Sequence, residues 1–281
     1  MNSDLEQKAK SILDKDTENI PLFWQNKYRI DAAKNWDLFY KRNTTKFFKD
    51  RHWIGREFDE LNETTKQKKV LELGCGVGNF IFPVLEANPS LFIYACDFSK
   101  RAIEFVKSHP QYDESRCHAF VVDLTKDDLV QHIEPETIDL ASAVFVFSAI
   151  PPEKHADTLR NIKKVMKPNS IVCFRDYGIY DAAQLKFSNA KNHKLEENLY
   201  IRQDGTMSYF FSIEYLRTLF ESEGFKTISA EFIQRETTNQ AKQLSVDRLF
   251  LQAKFHKVQT GSNEDSDDAK TNGKESSDGF G

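Results

Sequence analysis

The sequence predicts an α/β fold: a mostly parallel sheet with helices on both faces, closed by an antiparallel pair. Three observations carry this. Short apolar runs alternate with segments of helical spacing between Val70 and Asp176. The first run, Val70–Leu73, passes into Gly74-Cys75-Gly76-Val77-Gly78, a glycine turn of the kind that joins strand to helix at a nucleotide-binding crossover. Later runs end in aspartates, Asp97, Asp123 and Asp176, where ligands of such sheets sit.

Residues 1–23 are polar with weak helical character and are expected to form a flexible amino terminus. From Trp24 the positions Trp24, Tyr28, Ala32, Trp36 and Phe39/Tyr40 repeat at helical spacing. The run Lys41–Arg56 then carries six Lys or Arg against one Asp, with Phe47, Phe48 and Trp53 interleaved. Cations neutralise phosphates and aromatic faces stack on unpaired bases, so residues 24–68 are read as a helical, basic-aromatic RNA-binding segment. Its candidate RNA contacts are Lys46, Lys49, Arg51, His52 and Arg56. A solvated charged face is the ordinary alternative for such a run.

The main domain is expected over residues 69–256. Strand Val70–Leu73 leads to a helix around Asn79–Glu86, and Leu91–Cys96 is the second strand. Ser99 is placed to cap a helix over Lys100–Ser108. His118–Val122, Ile138–Phe145 and Ile171–Asp176 read as strands, with a helix over Pro152–Met166 that stops at Lys167-Pro168-Asn169. Residues 177–211 break the rhythm and are expected as an insertion over the carboxyl edge of the sheet. Ser212–Ser222 reads as a helix, and Phe225–Gln234 with Val246–Lys254 as the closing antiparallel pair. Residues 257–281 are expected to be a disordered acidic tail: from Thr260 onward there are six acids, two bases and almost no apolar side chains.

Composition narrows the classes. At 281 residues and 40% hydrophobic, the chain can bury one sizeable core with additions. No apolar run reaches the ~18 residues of a membrane span, and the first residues are too polar for a secretory signal. Cys75, Cys96, Cys117 and Cys173 are widely spaced with no Cys-x-x-Cys pair, which argues against zinc and a disulfide framework; no metal is expected. A reducing compartment follows as the expectation, cytoplasmic with the nucleus as a second location.

The glycine turn is Gly-x-Gly-x-Gly, not the Gly-x-Gly-x-x-Gly of dinucleotide sites, and it follows Glu72. A ligand without a phosphate fits that spacing. S-adenosyl-L-methionine, with its sulfonium, amine and carboxylate, is such a ligand, and here the chain resembles the Rossmann-like class I methyltransferases that use it. Asp97 follows Gly74 by 23 positions, near the ~20 expected for an acceptor of ribose hydroxyls. Asp123 is placed to accept from the adenine amine, and Val144 and Phe145 to pack against adenine or approach the methyl.

A narrower resemblance covers residues 24–255. The segments Asn35-Trp36-Asp37-Leu38-Phe39-Tyr40-Lys41-Arg42-Asn43, Phe47-Phe48-Lys49-Asp50-Arg51-His52-Trp53, Leu71–Asn79, Ala95–Ser99, Phe174-Arg175-Asp176-Tyr177-Gly178 and Arg202-Gln203-Asp204-Gly205-Thr206 look like the tRNA N3-methylcytidine methyltransferases, most of all their short members acting on serine tRNAs. The resemblance implies methylation of a cytidine at the start of the anticodon loop, with seryl-tRNA synthetase as a partner. It implies cofactor contacts from Trp36, Tyr40, Gly74, Asp97, Asp123 and Val144, to which the turn adds Glu72, Gly76 and Gly78. It implies a cytosine pocket from the Phe47–Trp53 stretch and Arg175-Asp176-Tyr177, with Arg202 as a further RNA contact.

Neutral cytosine N3 already carries a lone pair, so the reaction needs alignment more than a base. The product base is cationic, which makes Asp176 the candidate for electrostatic help; Phe48 or Tyr177 would hold the unstacked base, and Arg51 completes the candidate catalytic set. The alternatives are a methyltransferase for a protein or small molecule, and a non-catalytic cofactor-binding activator subunit.

Overall fold

Seven strands form one sheet in the computed structural model, which describes residues 3–239 and 244–259. Ahead of the sheet come helices α1 (Ser3–Leu13), α2 (Leu22–Ile30), α3 (Ala32–Asn43) and the short α4 (Ile54–Glu57). The parallel part is β1 (Lys68–Leu73), β2 (Leu91–Asp97), β3 (Cys117–Val121), β4 (Ile138–Val144) and β5 (Met166–Tyr177). Helices α5 (Ile81–Ala87), α6 (Lys100–Lys107) and α7 (His155–Val165) fall between these strands. After β5 come α8 (Ala182–Ser188), the small strands β6 (Lys194–Glu196), β7 (Leu199–Ile201) and β8 (Met207–Tyr209), then α9 (Ile213–Ser222). Two long strands, β9 (Phe225–Asn239) and β10 (Leu244–Lys257), close the sheet antiparallel in the order β3-β2-β1-β4-β5-β10-β9.

That order reverses between β1 and β4, so a crevice opens at the carboxyl ends of these two strands. The sequence dictates the central strands: Val70, Leu71, Glu72 and Leu73 are all buried, as expected of a strand covered on both faces. Helix α6 starts where Ser99 accepts a hydrogen bond from the Ala102 amide and buries Ala102, Ile103 and Val106. Helix α7 buries His155, Thr158, Leu159, Ile162 and Val165, a repeat of three and four.

Several elements differ from expectation. The helix read from Trp24 is two helices, broken at Asp31. Strand β5 begins at Met166, because a shift of register opposite Ile138 and Leu140 admits Lys167-Pro168-Asn169 at the sheet's edge, with Asn169 at φ 60°. The expectation of a flexible amino terminus is corrected over residues 3–20. These residues form α1 and a strap: the Ile20 amide donates to the Lys194 carbonyl at 2.8 Å, and the Tyr200 hydroxyl donates to Asp16 at 2.8 Å. The insertion 177–211 is a folded unit whose small sheet β6-β7-β8 supplies those anchors. The expected disordered tail 257–281 is corrected at its start, where Lys257 ends β10 and the Val258 amide donates to the Gly224 carbonyl at 3.1 Å; residues 260–281 lie outside the described residues. No helix among the described residues is long and apolar enough to cross a membrane.

Candidate active site

The glycine turn needs its glycines for close approach. Gly74 sits at φ 57°, and a Cβ there would lie 2.4 Å from Val146 Cγ2. Gly76 sits at φ 54°, and its missing side chain leaves room for the Tyr40 hydroxyl of α3. The Gly76 amide and the Ser99 amide each donate to Asp97 at 2.9 Å. The loop after β1 and the end of β2 are thereby locked together around one buried carboxylate. Burial raises the Asp97 pKa to about 6, against the two amides that lower it.

A pocket of about 320 Å³ opens here, lined by Trp36, Tyr40, Gly74, Asp97, Phe98, Val122, Asp123, Leu124, Phe145, Val146, Ala149 and Ile150, with Arg29 and Ile30 of α2 at its side. Helix α3 is held over it by Asp37, which accepts from the Ser99 hydroxyl at 2.8 Å and pairs with Arg101 at 3.4 Å. The Trp36 indole N–H is buried without a partner among the described residues, a donor suited to an incoming carboxylate. Asp123 accepts from the Thr125 amide at 3.0 Å and from Lys126 at 2.8 Å. Burial acts upward on its pKa, but Lys126 and Thr125 outweigh it and hold Asp123 below the usual carboxylate value. Apolar walls, an acid at the ribose position and an orphan donor fit an adenosyl group carrying an amino acid.

Six of the residues expected at the cofactor, Trp36, Tyr40, Gly74, Asp97, Asp123 and Phe145, line this pocket. Gly76 and Gly78 shape the turn behind it: a Cβ at Gly78 would meet Phe82 at 2.3 Å. Val144 is corrected: its side chain is wholly buried in the sheet, and the wall is made by the next two residues, Phe145 and Val146. Glu72 is also buried, outside the lining. Burial pushes its pKa up to about 8, opposed by the positive charge of Arg51. Ile150 and Ala149 gave no sequence signal, because a short 3-10 turn brings them in.

Across Phe145 lies a second cavity of about 580 Å³, lined by Trp53, Arg56, Glu57, Phe145, Arg175, Arg235 and Phe250. Arg175 is buried there, its guanidinium 4.5 Å from the Trp53 ring and 3.6 Å from Glu57, with its Nε unpartnered among the described residues. Tyr177 packs on Phe145 and Phe250 at ring distances of 5.4 and 6.2 Å.

Asp176 is fully buried, and neither it nor Tyr177, the other expected grip on the base, lines either cavity. Its oxygens accept from the Ser148 amide and from the amide of Tyr177, both at 2.9 Å. Burial raises its pKa to about 6. The turn bearing Ser148 is pinned by His155, whose Nε2 lies 3.0 Å from the Phe147 carbonyl and 2.9 Å from that of Ile150. Tyr215 donates its hydroxyl to the other ring nitrogen at 2.9 Å, since burial lowers the His155 pKa to about 4 and keeps the ring neutral. One imidazole thus fixes both a wall of the pocket and a donor to Asp176.

Phe48 lines neither cavity; its ring packs with Phe39 and Phe47 under α3, so the expected grip on a base does not fall to it. Arg51, expected also at the RNA surface, turns inward: its Nη1 donates to the Val144 carbonyl at 3.0 Å, beside the Phe145 ring. Lys46, Lys49, His52 and Arg56 are exposed. Arg202 stands in the β7–β8 hairpin, which meets α3 where Asn35 donates to the Gly205 carbonyl at 2.7 Å.

Comparison with known proteins decides the family. A model described as a methyltransferase domain matches residues 71–172. The human tRNA N(3)-cytidine methyltransferase METTL6 is 51% identical over 261 residues, covering 92% of this chain and 90% of that protein. The chain belongs to the tRNA N(3)-cytidine methyltransferases. A Schizosaccharomyces pombe tRNA N(3)-methylcytidine methyltransferase is 44% identical, covering 84% of this chain and 96% of its own. The fold is shared with an S-adenosylmethionine-dependent methyltransferase of Anabaena variabilis, at TM-score 0.58 and 13% identity over 80% of this chain and 94% of that one. The protein is a Rossmann-like class I methyltransferase, and its cofactor is S-adenosyl-L-methionine.

Proposed function

We propose that this methyltransferase forms N3-methylcytidine in tRNA, at the first nucleotide of the anticodon loop of serine tRNAs, with seryl-tRNA synthetase as a helper. The observation that carries the chemistry is the abutment of the two cavities on Phe145, one apolar and shaped for an adenosyl group, the other walled by aromatic rings and arginines. The exposed cations Lys46, Lys49 and Arg56 precede or border the second cavity and favour a polyanionic substrate over a small molecule.

The cofactor supplies an electrophilic methyl on a sulfonium. The chain's residues supply alignment. The pocket wall of Val146, Ala149 and Ile150 and the glycine turn hold the adenosyl side, with Asp97 as acceptor at its ribose position. The cytidine would enter from the Trp53–Phe250 side, unstacked, with its N3 lone pair presented past Phe145 to the methyl that a bound cofactor would supply. Methylation would leave the base cationic, and the buried Asp176 carboxylate would favour that charge without accepting a proton in the transfer.

Incubating unmodified tRNA transcripts with the purified protein and isotope-labelled cofactor, followed by nucleoside mass spectrometry, tests this. Labelled N3-methylcytidine in serine tRNAs is the expected product, at a rate increased by seryl-tRNA synthetase. Label in protein alone, or in another nucleoside, would overturn the reading.

A further inference from the structure

Phe145 has its backbone in the left-handed region, at φ 59°. For a bulky residue that conformation is a genuine outlier, and it persists only where the surroundings force it. Here the peptide that precedes it is gripped at both its carbonyl and its amide from other elements. The Phe145 amide donates to the Arg175 carbonyl at 2.8 Å, and the Val144 carbonyl just before it accepts from Arg51 at 3.0 Å. The kink coincides with the end of β4 at Val144. The ring is wedged by Phe250 at 5.3 Å, Tyr177 at 5.4 Å and the Arg51 guanidinium at 5.3 Å. Phe145 is also the one residue shared by the linings of the cofactor pocket and the second cavity.

We propose that Phe145 is the partition of the reaction site: its ring meets the target pyrimidine on one side and the cofactor on the other, and its strained backbone is retained to hold the ring there. A glycine would adopt this backbone without strain but would leave the two cavities confluent. A phenylalanine in relaxed backbone would continue the strand. The residue therefore trades stability for alignment of N3 with the methyl, and this inference rests on the cytidine reading above.

Three variants test it: Phe145→Ala, Phe145→Gly and the conservative Phe145→Tyr. Both small residues remove the ring, but only glycine relieves the backbone. Elsewhere glycine is the less stable of the two; here the glycine variant is expected to melt a few degrees above the alanine variant. Both are expected to lose about a hundredfold in single-turnover rate with saturating tRNA, while cofactor affinity by calorimetry changes only a few-fold. Phe145→Tyr is expected to keep most of the rate. Phe145→Leu, which keeps bulk in the same backbone, guards against small variants that fail to fold; it is expected to lose about tenfold.

A variant lacking the ring that turns over at the parent rate overturns the partition. So does a loss of cofactor affinity in step with the loss of rate, which would make the ring a pocket wall only, or an alanine variant more stable than the glycine variant. The parent is the separate control. A parent that makes no N3-methylcytidine defeats the cytidine reading and the partition with it; an active parent with an equally active Phe145→Ala defeats the partition alone.

Discussion

Arg51 donates from Nη1 to the carbonyl of Val144 at 3.0 Å, so the basic segment before the sheet reaches into the end of its central strand. The guanidinium is largely enclosed, and burial lowers its pKa while the carboxyl groups of Glu72 and Asp176 act the other way. Arg51 is thus a structural cation of the site and not one of the surface charges around it. Its replacement tests this. Arg51→Met keeps the length and removes the charge, and is expected to cost about 2 kcal/mol of stability, the worth of a hydrogen bond to a charged donor. Methyl transfer should fall with it, because Phe145 loses one of its two backbone anchors. The salt slope of tRNA binding should stay as in the parent. A fall in that slope by about one, with unchanged stability, would return Arg51 to the RNA surface.

Glu72 gives a pH signature. Burial keeps its folded pKa at about 8, far above the ordinary 4.5 it regains in the unfolded chain. Between these values the folded state holds the proton and the unfolded state has released it. The group's contribution to stability is therefore complete below 4.5 and is lost as pH rises toward 8. Glu72→Gln, with no proton to lose, is expected to grow more stable relative to the parent across that window, by up to about 1.4 kcal/mol per pH unit. Denaturant unfolding of both proteins at several pH values measures it. A constant difference would mean that Glu72 is ionised in the fold.

The exposed cations make a third case. Replacing Lys46, Lys49 and Arg56 together by Ala is expected to weaken tRNA binding and to lower the slope of log K against log salt by two to three, about one per lost phosphate contact. Cofactor affinity should not move, since none of the three lines its pocket. An unchanged slope would leave these residues as a solvated face.

Much of the site was legible because its residues sit at strand ends. Gly74, Asp97 and Asp123 follow directly from apolar runs, and helical spacing placed Trp36 and Tyr40 on one helix. What stayed hidden depends on contacts between distant segments. His155 reads as an ordinary helix residue; only the fold shows it holding the carbonyls of Phe147 and Ile150. Glu57, Arg235 and Phe250 come from three separate segments to line the second cavity, and none has a local pattern that says so. Val144 and Phe145 are adjacent, but a reversed φ hands the pocket to the second of them, and backbone sign is not written in an apolar run. The aspartate at the end of β5 was placed correctly in sequence, yet its burial and its two amide donors arise from the turn that His155 fixes.

That aspartate carries the last prediction. Asp176 is wholly buried, holds the amides of Ser148 and Tyr177, and has its pKa raised by burial to about 6. At neutral pH it is therefore mostly ionised in a place that disfavours charge, and positive charge arriving on a base in the cavity lined by its neighbour Arg175 would relieve that cost through space. The relief is greater in the transition state than with the neutral base, which is the condition for a rate effect. Asp176→Asn keeps the shape and one acceptor. Its single-turnover rate is expected to fall about a hundredfold, with cofactor and tRNA affinities little changed. Some stability is also expected to go, about 1–3 kcal/mol, because the amide nitrogen must face a backbone donor that the carboxylate accepted from. The pH profile separates the two effects. With saturating cofactor and tRNA, the parent rate should drop as pH falls through about 6, when Asp176 takes a proton, and the Asn variant should be slow and flat over the same range. An Asn variant that is less stable yet transfers methyl at the parent rate would confine Asp176 to holding the Ser148 turn, and alignment by Phe145 would have to account for the catalysis.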